Sequence, residues 1–415
     1  MPYSLLKKRV EHDQETWVLF LDLVKAFDRV PRELLWQVLR YSGVPEKLVS
    51  LIIKLHTNVK IDFQTANISR SFYSTIGVKQ GDTLGPLLFI FFITSILYTW
   101  RNNTLTAPCI FQSSPVLHKL SGHSSSTQGD IFIFRDSAYA DDTATPFTSR
   151  NDTELGVNEI IAHFARFGME VHTGSVTKPS KSEVLFVPRP CRAQVTSSAP
   201  TADVSPIDCG NSRHIPIVDK FQYLGSHAAK DAMDRTDVIE RISAANKAFG
   251  ALRELFFNNR RIAIRAKVAV YRLIIIPIML YGSECWALTS ADYRALNNFH
   301  NSCARSILKI SLKQQRRNYI SSRSILIKLR LPRIEALIAR HQLRWAGHVA
   351  RMDYDRLPRK FLNSWTNNKR PTGSPYKTFA RHLKQILSDN GIDSDTWHLL
   401  SLNKDEWRRR VKAIY

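Results

Sequence analysis

Apolar and polar positions along the chain change period several times, and each change marks an element. Trp17 to Leu23 (WVLFLDL) is a continuous apolar run broken by one carboxylate, Asp22, which predicts a buried strand. Pro31 opens a predicted helix over Arg32 to Tyr41, stopped by Gly43. Pro45 opens another, to about Asn58, and loose alternation over Ile61 to Phe72 suggests strands. Asp82 to Trp100 reads as a helix apolar almost all round, hence buried. Residues 102–130, rich in Ser, Thr and His, read as a loop or insertion. Ile131 to Phe147 reads as strand, tight turn and strand, with Asp141-Asp142 at the turn and Pro146 interrupting the second strand. An amphipathic helix follows from Asp152 to Gly168, then short strands near Glu170–His172 and Glu183–Val187. Pro188 to Pro216 reads as flexible, and Phe221 to Gly225 as a short strand and turn.

Beyond Asp231 the period is helical. Val238, Ile242, Ala245, Phe249, Leu252 and Phe256 share one helix face. A helix from about Ile262 must kink or end at Pro277. No internal repeat occurs. The front half is thus mixed helix and strand, the back half helical, and the boundary falls near residue 230.

Charge sharpens that division. Of 415 residues 59 are Lys or Arg and 36 Asp or Glu, a net of +23. Residues 301–415 hold 25 Lys or Arg against 8 Asp or Glu, so +17 lies there and +6 in residues 1–300. A polyanion is the partner such a balance suggests. On the helical stretch after Asn301, Arg333, Arg340, Arg344 and Arg351 form one stripe beside an apolar stripe of Ile334, Ile338, Trp345 and Val349. The stripe could track a phosphate backbone; a solvated helix face is the plainer alternative.

Other classes recede. Five scattered cysteines with no CxxC argue against a disulfide framework or zinc knuckle and for a reducing compartment. His300-x-x-Cys303 has ligand-like spacing, but two ligands do not make a tetrahedral site, and packing is the expected role. Met1 to Val10 lacks a signal-peptide core, and the apolar part of Leu84 to Trp100 is shorter than a bilayer needs. A soluble intracellular protein of nucleus or cytoplasm, without a membrane or disulfide partner, is the expectation.

Chemistry centres on Asp22, Asp141 and Asp142, carboxylates in apolar strand contexts. An unpaired Asp inside VLFLDL is expensive to bury, and a divalent cation would compensate it. Two such strands side by side could hold two ions that activate an attacking hydroxyl and stabilise a leaving oxygen. Plain turn chemistry for Asp141-Asp142 and an ion pair for Asp22 are the alternatives that residue types alone leave open.

Several segments carry a family resemblance. FLDLVKAFDRVPRELLW (Phe20–Trp36), GVKQGDTLGPLLF (Gly77–Phe89), AYADDTA (Ala138–Ala144), GMEVHTGSVTKPSKSEVLFV (Gly168–Val187) and FQYLGS (Phe221–Ser226) resemble, in order, the palm motifs of reverse transcriptases from non-LTR (LINE-type) retrotransposons. LIIIPIMLYGSECWALT, LRWAGHVARM and the Trp397…Trp407-Arg408 tail resemble the C-terminal region of such elements. The resemblance spans roughly residues 15–412. It implies an α+β fold: a right-hand polymerase palm over 1–230, an antiparallel sheet with helices on one face, with insertions near 102–130 and 188–216. A helical thumb-like region over 231–300 and a basic helical region over 301–415 follow. With about twenty residues ahead of Asp22, most of the fingers region is expected to be missing, as is an endonuclease; Lys7, Lys8 and Arg9 are too few to replace the fingers' basic clamp.

By the same resemblance Asp22 and Asp141 would bind catalytic Mg²⁺ (or Mn²⁺), with the Leu23 carbonyl as an extra ligand and Asp142 close by. Phe27 would be the ring that rejects a 2′-hydroxyl; ordinary core is its plainer role. Gln80 and Gly81 would lie along the incoming nucleotide. Lys181 would neutralise the departing pyrophosphate, a surface lysine being the alternative. Tyr223, Leu224 and Gly225 would grip the primer. Asp28 also matches, but local support of the turn before Pro31 explains it. The implied partners are an RNA template, a DNA primer and deoxynucleoside triphosphates, and the implied reaction is RNA-directed DNA synthesis. A catalytically inactive nucleic-acid-binding remnant or domesticated scaffold, and a two-metal nuclease, are the rival readings.

Overall fold

The computed structural model describes residues 2–65, 68–114, 129–175, 177–190, 203–366, 368 and 378–414. The expected 102–130 and 188–216 insertions therefore lie partly outside the described residues.

Five strands form the central sheet, in the order Ile217–Val218 (β11), Glu183–Val187 (β8), Thr16–Leu21 (β1), Asp142–Phe147 (β7) and Ser137–Tyr139 (β6). It is antiparallel apart from the β11·β8 pair. All six β1 residues are buried, because the sheet is covered on both faces. Trp17, Leu19 and Leu21 point into a core built with helices α2 (Arg32–Tyr41), α4 (Gly85–Asn103) and α5 (Arg150–Arg166). Val18 and Phe20 belong to a second core with α1 (Pro2–Glu11) and Phe111, Phe132, Tyr223 and Phe361. Helices thus lie on both faces rather than one. α3 (Glu46–His56) follows α2 and leads into a separate hairpin, β2 (Val59–Thr65) and β3 (Ile68–Ser74).

The apolar stretch from Ile131 to Phe147 is divided between two sheets. Asp130–Phe134 (β5) pairs with Cys109–Ser113 (β4), a strand inside the segment expected to be a loop. The chain then breaks at Arg135-Asp136, where buried Asp136 takes a two-pronged ion pair from Arg101 (2.5 and 2.6 Å), before β6 and β7 join the central sheet. Pro146 sits within β7 opposite Val18. β6 pairs only as far as Ala144, so the strand tolerates a residue without an N–H there. Between residues 203 and 229 lie a short pair, β9 (Ile207–Asp208) with β10 (His214–Ile215), and the hairpin β12 (Lys220–Tyr223) with β13 (Ser226–Ala229).

The back half is helical as its period predicts. α6 (Arg235–Ala251), α7 (Ile264–Val270), α8 (Ile276–Met279), α9 (Ser290–Leu308), α10 (Leu312–Arg317) and α11 (Ser322–Leu329) enclose a core that includes Val238, Phe249, Phe257, Tyr271 and Leu296. Pro277 follows a π-helical turn (Tyr271–Ile275), and the helix ends two residues later. His300 and Cys303 are buried. The Pro332 carbonyl can only accept, so His300 Nε2 donates to it (3.1 Å) while Nδ1 accepts from Tyr271 Oη (2.7 Å). Both residues are core, and burial pulls the imidazole down to about 4.

A further core joins α12 (Ile334–Ala350) to α13 (Leu357–Leu362), α14 (Phe379–Asp389), α15 (Trp397–Leu402) and α16 (Lys404–Ala413). The Trp407 indole donates to the Leu343 carbonyl (3.0 Å) and lies against Gly347. This tail also returns to the front of the chain. Ser364–Trp365 (β14) adds a third strand to the β4–β5 sheet, and Phe361 packs among Phe111, Phe132 and Phe134. Among the described residues no helix is long and apolar enough to cross a membrane, and Cys109, Cys209, Cys285 and Cys303 are free thiols.

Candidate functional site

Strand register brings the sequence-predicted carboxylates to one end of the sheet. β1 and β7 pair Leu21 with Thr143, so Asp22 and Asp142 follow at the same edge. β6 and β7 close on Tyr139 and Asp142, and the two-residue turn between them is Ala140-Asp141, with Ala140 at φ +54°. The backbone of Asp22 is held on its other side. Its N–H donates to Ser182 Oγ (3.0 Å), its carbonyl accepts from His172 N–H (2.8 Å), and Leu23 bridges to Val171.

The electrostatics follow from this crowding. The Asp142 carboxyl is raised above the ordinary aspartate range, first by loss of hydration, then by the negative charges of Asp141 and Asp22. Asp142 lies within electrostatic range of Asp141 and Asp22, and three such carboxylates suit a hard divalent ion in donor chemistry. Among the described residues, however, no three His, Cys, Asp or Glu side chains already converge as a coordination shell.

Phe27 and the Gly77–Phe89 segment are linked to this edge. Val78 N–H donates to the Phe27 carbonyl and Gly77 N–H to the Val30 carbonyl, both at 2.9 Å. Gly77 has φ +80°, and a Cβ there would meet the Asp28 carbonyl oxygen at 2.6 Å. Asp28 thus belongs to a close backbone crossing. The half-buried Phe27 ring stacks on Phe89 (centroids 4.5 Å, 19° between planes). Gln80 and Gly81 form an exposed turn before α4; Gly81 has φ +86° with open space where a Cβ would stand. Lys181 is exposed, two residues before Glu183, which pairs with Phe20, so its backbone reaches the Asp22 end of the sheet.

The hairpin β12–β13 reaches the carboxylate turn directly. Tyr223 is buried, and its Oη donates to the main-chain carbonyls of Asp142 (3.2 Å) and Ser137 (3.3 Å); burial pushes the phenol up to about 12. Leu224 and Gly225 form the tip, at φ +48° and +80°. Tyr281 Oη donates to the Leu224 carbonyl (3.0 Å), and Tyr3 Oη to the Ser226 carbonyl (2.5 Å). The tip is therefore clamped from α1 and from the helical half.

The arginine stripe of α12 divides. Arg340 donates to the Ile414 carbonyl (2.7 Å), and Arg351 to the Ser401 carbonyl (2.6 Å) with its basicity lowered by burial. These two tie the tail helices to α12, whereas Arg333 and Arg344 are exposed. In α1, Lys7 pairs with Asp234 (2.6 Å), Lys8 with Glu11 (3.4 Å), and Arg9 donates to Thr16 Oγ1 (2.8 Å) and the Glu15 carbonyl (2.7 Å); all three are engaged in packing.

Sequence reasoning passed over Arg32. Its buried guanidinium donates to the carbonyls of Gly77 (2.9 Å), His56 (2.8 Å), Ser74 (2.6 Å) and Ile76 (3.2 Å) and to Ser74 Oγ (2.7 Å). It fastens the β2–β3 hairpin and the Gly77 crossing to the start of α2. One signal was available: a cation in the first turn of a helix opposes the helix dipole and needs another reason to be there. Ser182, Tyr3 and Tyr281 carry no such signal, because their partners are main-chain groups far along the chain.

Known proteins are similar to this chain. The family described as reverse transcriptase (RNA-dependent DNA polymerase) matches residues 3–227, more than half of the chain. A transposon-derived protein of Caenorhabditis elegans is 23% identical over 274 residues, covering 65% of this chain and 92% of that protein. A protein of Drosophila melanogaster named as an RNA-directed DNA polymerase from transposon BS is 24% identical over 345 residues; the match covers 80% of this chain and 33% of that longer protein.

Proposed function

Because the chain belongs to the reverse transcriptase family, we propose that it carries the polymerase of a non-LTR retrotransposon and copies RNA into DNA by two-metal nucleotidyl transfer. The observation that carries this reading is the register that brings Asp22 and the Asp141-Asp142 turn to one sheet edge, with the Asp142 carboxyl raised by loss of hydration and then by its acidic neighbours. The central sheet with its flanking helices corresponds to a palm over 1–230, residues 231–300 to a thumb-like region, and 301–415 to a basic module for nucleic acid.

In the reaction a primer 3′-hydroxyl attacks the α-phosphorus of a deoxynucleoside triphosphate. A new O–P bond forms, the α–β bridging bond breaks, and pyrophosphate leaves. Asp22, Asp141, Asp142 and the Leu23 carbonyl would hold Mg²⁺ or Mn²⁺, which when bound supplies positive charge to the attacking and leaving oxygens. The remaining work is positioning. Tyr223 holds the carboxylate turn through the Asp142 carbonyl. Leu224 and Gly225 present the primer end, and Phe27 lies where its ring discriminates against ribonucleotides. Gln80 and Gly81 line the nucleotide, and the Lys181 ammonium neutralises the departing pyrophosphate. Arg333 and Arg344 offer exposed guanidinium groups to the nucleic-acid backbone.

A second reading is a nucleic-acid-binding remnant or domesticated scaffold. The lack of a preassembled three-carboxylate shell among the described residues favours it. Extension of a DNA primer on an RNA template, with Mg²⁺ or Mn²⁺ and an Asp141→Asn control, separates the two. Metal-dependent extension abolished by the substitution supports the polymerase. RNA binding without extension, indifferent to the substitution, supports the remnant.

A further inference from the structure

The helical half carries a one-sided charge. Residues 255–283 hold five Lys or Arg and residues 293–334 hold ten, with no Asp or Glu in either stretch. α7 belongs to the first stretch and packs against α9, which runs into the second. Lys309, the residue that ends α9, donates from Nζ to the Asn258 carbonyl (3.0 Å), so α7, the Asn258 turn before it and the end of α9 meet here. Lys267 of α7 lies within electrostatic range of Lys309 and is 2% exposed. Among the described residues no carboxylate, carbonyl or hydroxyl takes its ammonium. Its Nζ is nevertheless not an enclosed atom, so the stem is covered and the head opens to solvent.

Lysines commonly cover apolar surface with the stem, but they keep the head in water. Here little surface remains for hydration, and the nearby charge is a second cation. Loss of hydration, then Lys309, lower the basicity of Lys267. A poorly hydrated ammonium without a counter-charge is a standing cost, which an anion seated on it removes. Lys309 is exposed, and its one bond to Asn258 leaves two N–H donors for the same anion. Two ammonium groups act as point charges, which suits phosphate, whereas a carboxylate is matched better by the planar arginine fork. Exposed Arg260, Arg261 and Arg265 precede Lys267 and exposed Lys313 follows Lys309, and such a run of cations suits a polymer bearing one charge per unit.

We propose that Lys267 and Lys309 together hold one phosphate of a bound nucleic-acid strand, with residues that belong neither to the carboxylate edge nor to α12. The proposal rests on the nucleic-acid reading above and deepens it by naming a backbone contact between α7 and α9. Fluorescence anisotropy with labelled oligouridylate, in EDTA and without nucleotide, tests it. Lys267→Met keeps the stem and removes the charge. It should weaken binding about tenfold at low salt, and its melting temperature should equal or exceed the parent's, because an uncompensated charge has gone. Lys309→Met, at an exposed position, should weaken binding to a similar degree. The double variant should lower the slope of log affinity against log salt by about 0.7 in all, since the phosphate is one; a loss of about twice that assigns the lysines to separate phosphates and overturns the shared site. Polyglutamate whose binding depends on Lys267 as strongly as that of oligouridylate would assign the site to an acidic protein and overturn the phosphate. Inorganic phosphate that raises the melting temperature of the parent but not of Lys267→Met, while both bind oligouridylate alike, would make the ligand a free phosphate and overturn the strand contact. Oligouridylate affinity unchanged in both single variants overturns the site and leaves the nucleic-acid reading intact. Absence of binding by the parent overturns both.

Discussion

Gly77 and Gly81 stand four residues apart, both at positive φ, yet alanine at the two positions should have unequal consequences. At either site an L-residue at φ near +80° loses about 1 kcal/mol relative to glycine. At Gly81 nothing lies within 4 Å of an added Cβ, so that backbone term is the whole of the stability loss. At Gly77 the Cβ would also stand 2.6 Å from the Asp28 carbonyl oxygen and 2.8 Å from its carbonyl carbon. These are backbone atoms of a segment held by Phe27 and Val30 carbonyls, which accept from Val78 and Gly77 at 2.9 Å. The two segments must separate, at an overpacking penalty of about 1–3 kcal/mol. Gly77→Ala should therefore lose about 2–4 kcal/mol, and Gly81→Ala about 1 kcal/mol. Thermal unfolding followed by circular dichroism measures both. Primer extension with varied nucleotide then separates their functions: Gly81→Ala should raise the KM for the deoxynucleotide at nearly unchanged stability. Gly77→Ala that unfolds within about 0.5 kcal/mol of the parent would refute the close-crossing argument. Gly81→Ala with parental nucleotide KM would remove Gly81 from the nucleotide path.

Two further expectations use the electrostatics. The Asp142 carboxyl is raised in the folded state, so the folded chain binds more protons than the unfolded one just above the ordinary aspartate range. Its contribution to stability is present at low pH and lost as pH rises through the raised value. Without divalent ions Asp142→Asn should erase that loss, leaving it more stable than the parent at neutral pH by a few tenths of a kcal/mol at this exposed residue; parallel melting-temperature profiles against pH would contradict it. On α12, Arg344→Ala should lower RNA affinity and flatten its salt dependence by about one unit of slope with little effect on melting. Arg340→Ala, which releases the Ile414 carbonyl, should lower the melting temperature instead; an exchange of these phenotypes would overturn the division of the stripe.

How much of this was legible beforehand depends on the range over which each feature is encoded. α2 occupies Arg32 to Tyr41 as predicted, since Pro31, the apolar period and Gly43 all lie within a few residues of it. β1 covers Thr16 to Leu21, starting one residue before the predicted run of Trp17 to Leu23, and its continuous apolarity is explained by two cores, one on each face. The ordered motifs named the family, and the candidate site residues with it. Pairing partners were not legible. The break at Arg135-Asp136 involves Arg101, and β4 is paired on one edge with β5 and on the other with a strand more than 250 residues away, so local alternation could not assign either.

The sequence by itself determined the alternation of elements, the positions of the acidic motifs, the basic bias of the tail and the family. Tertiary structure alone decided which cations are free and what holds the carboxylate turn. Arg340 and Arg351 look like Arg333 and Arg344 on a helical wheel, but their partners are carbonyls at the far end of the chain. Arg32, Tyr223 and Tyr281 likewise bind main-chain oxygens, which every residue possesses and no side-chain pattern announces. Such contacts exist only once the chain has brought distant backbone together, and that is why composition and period cannot foretell them.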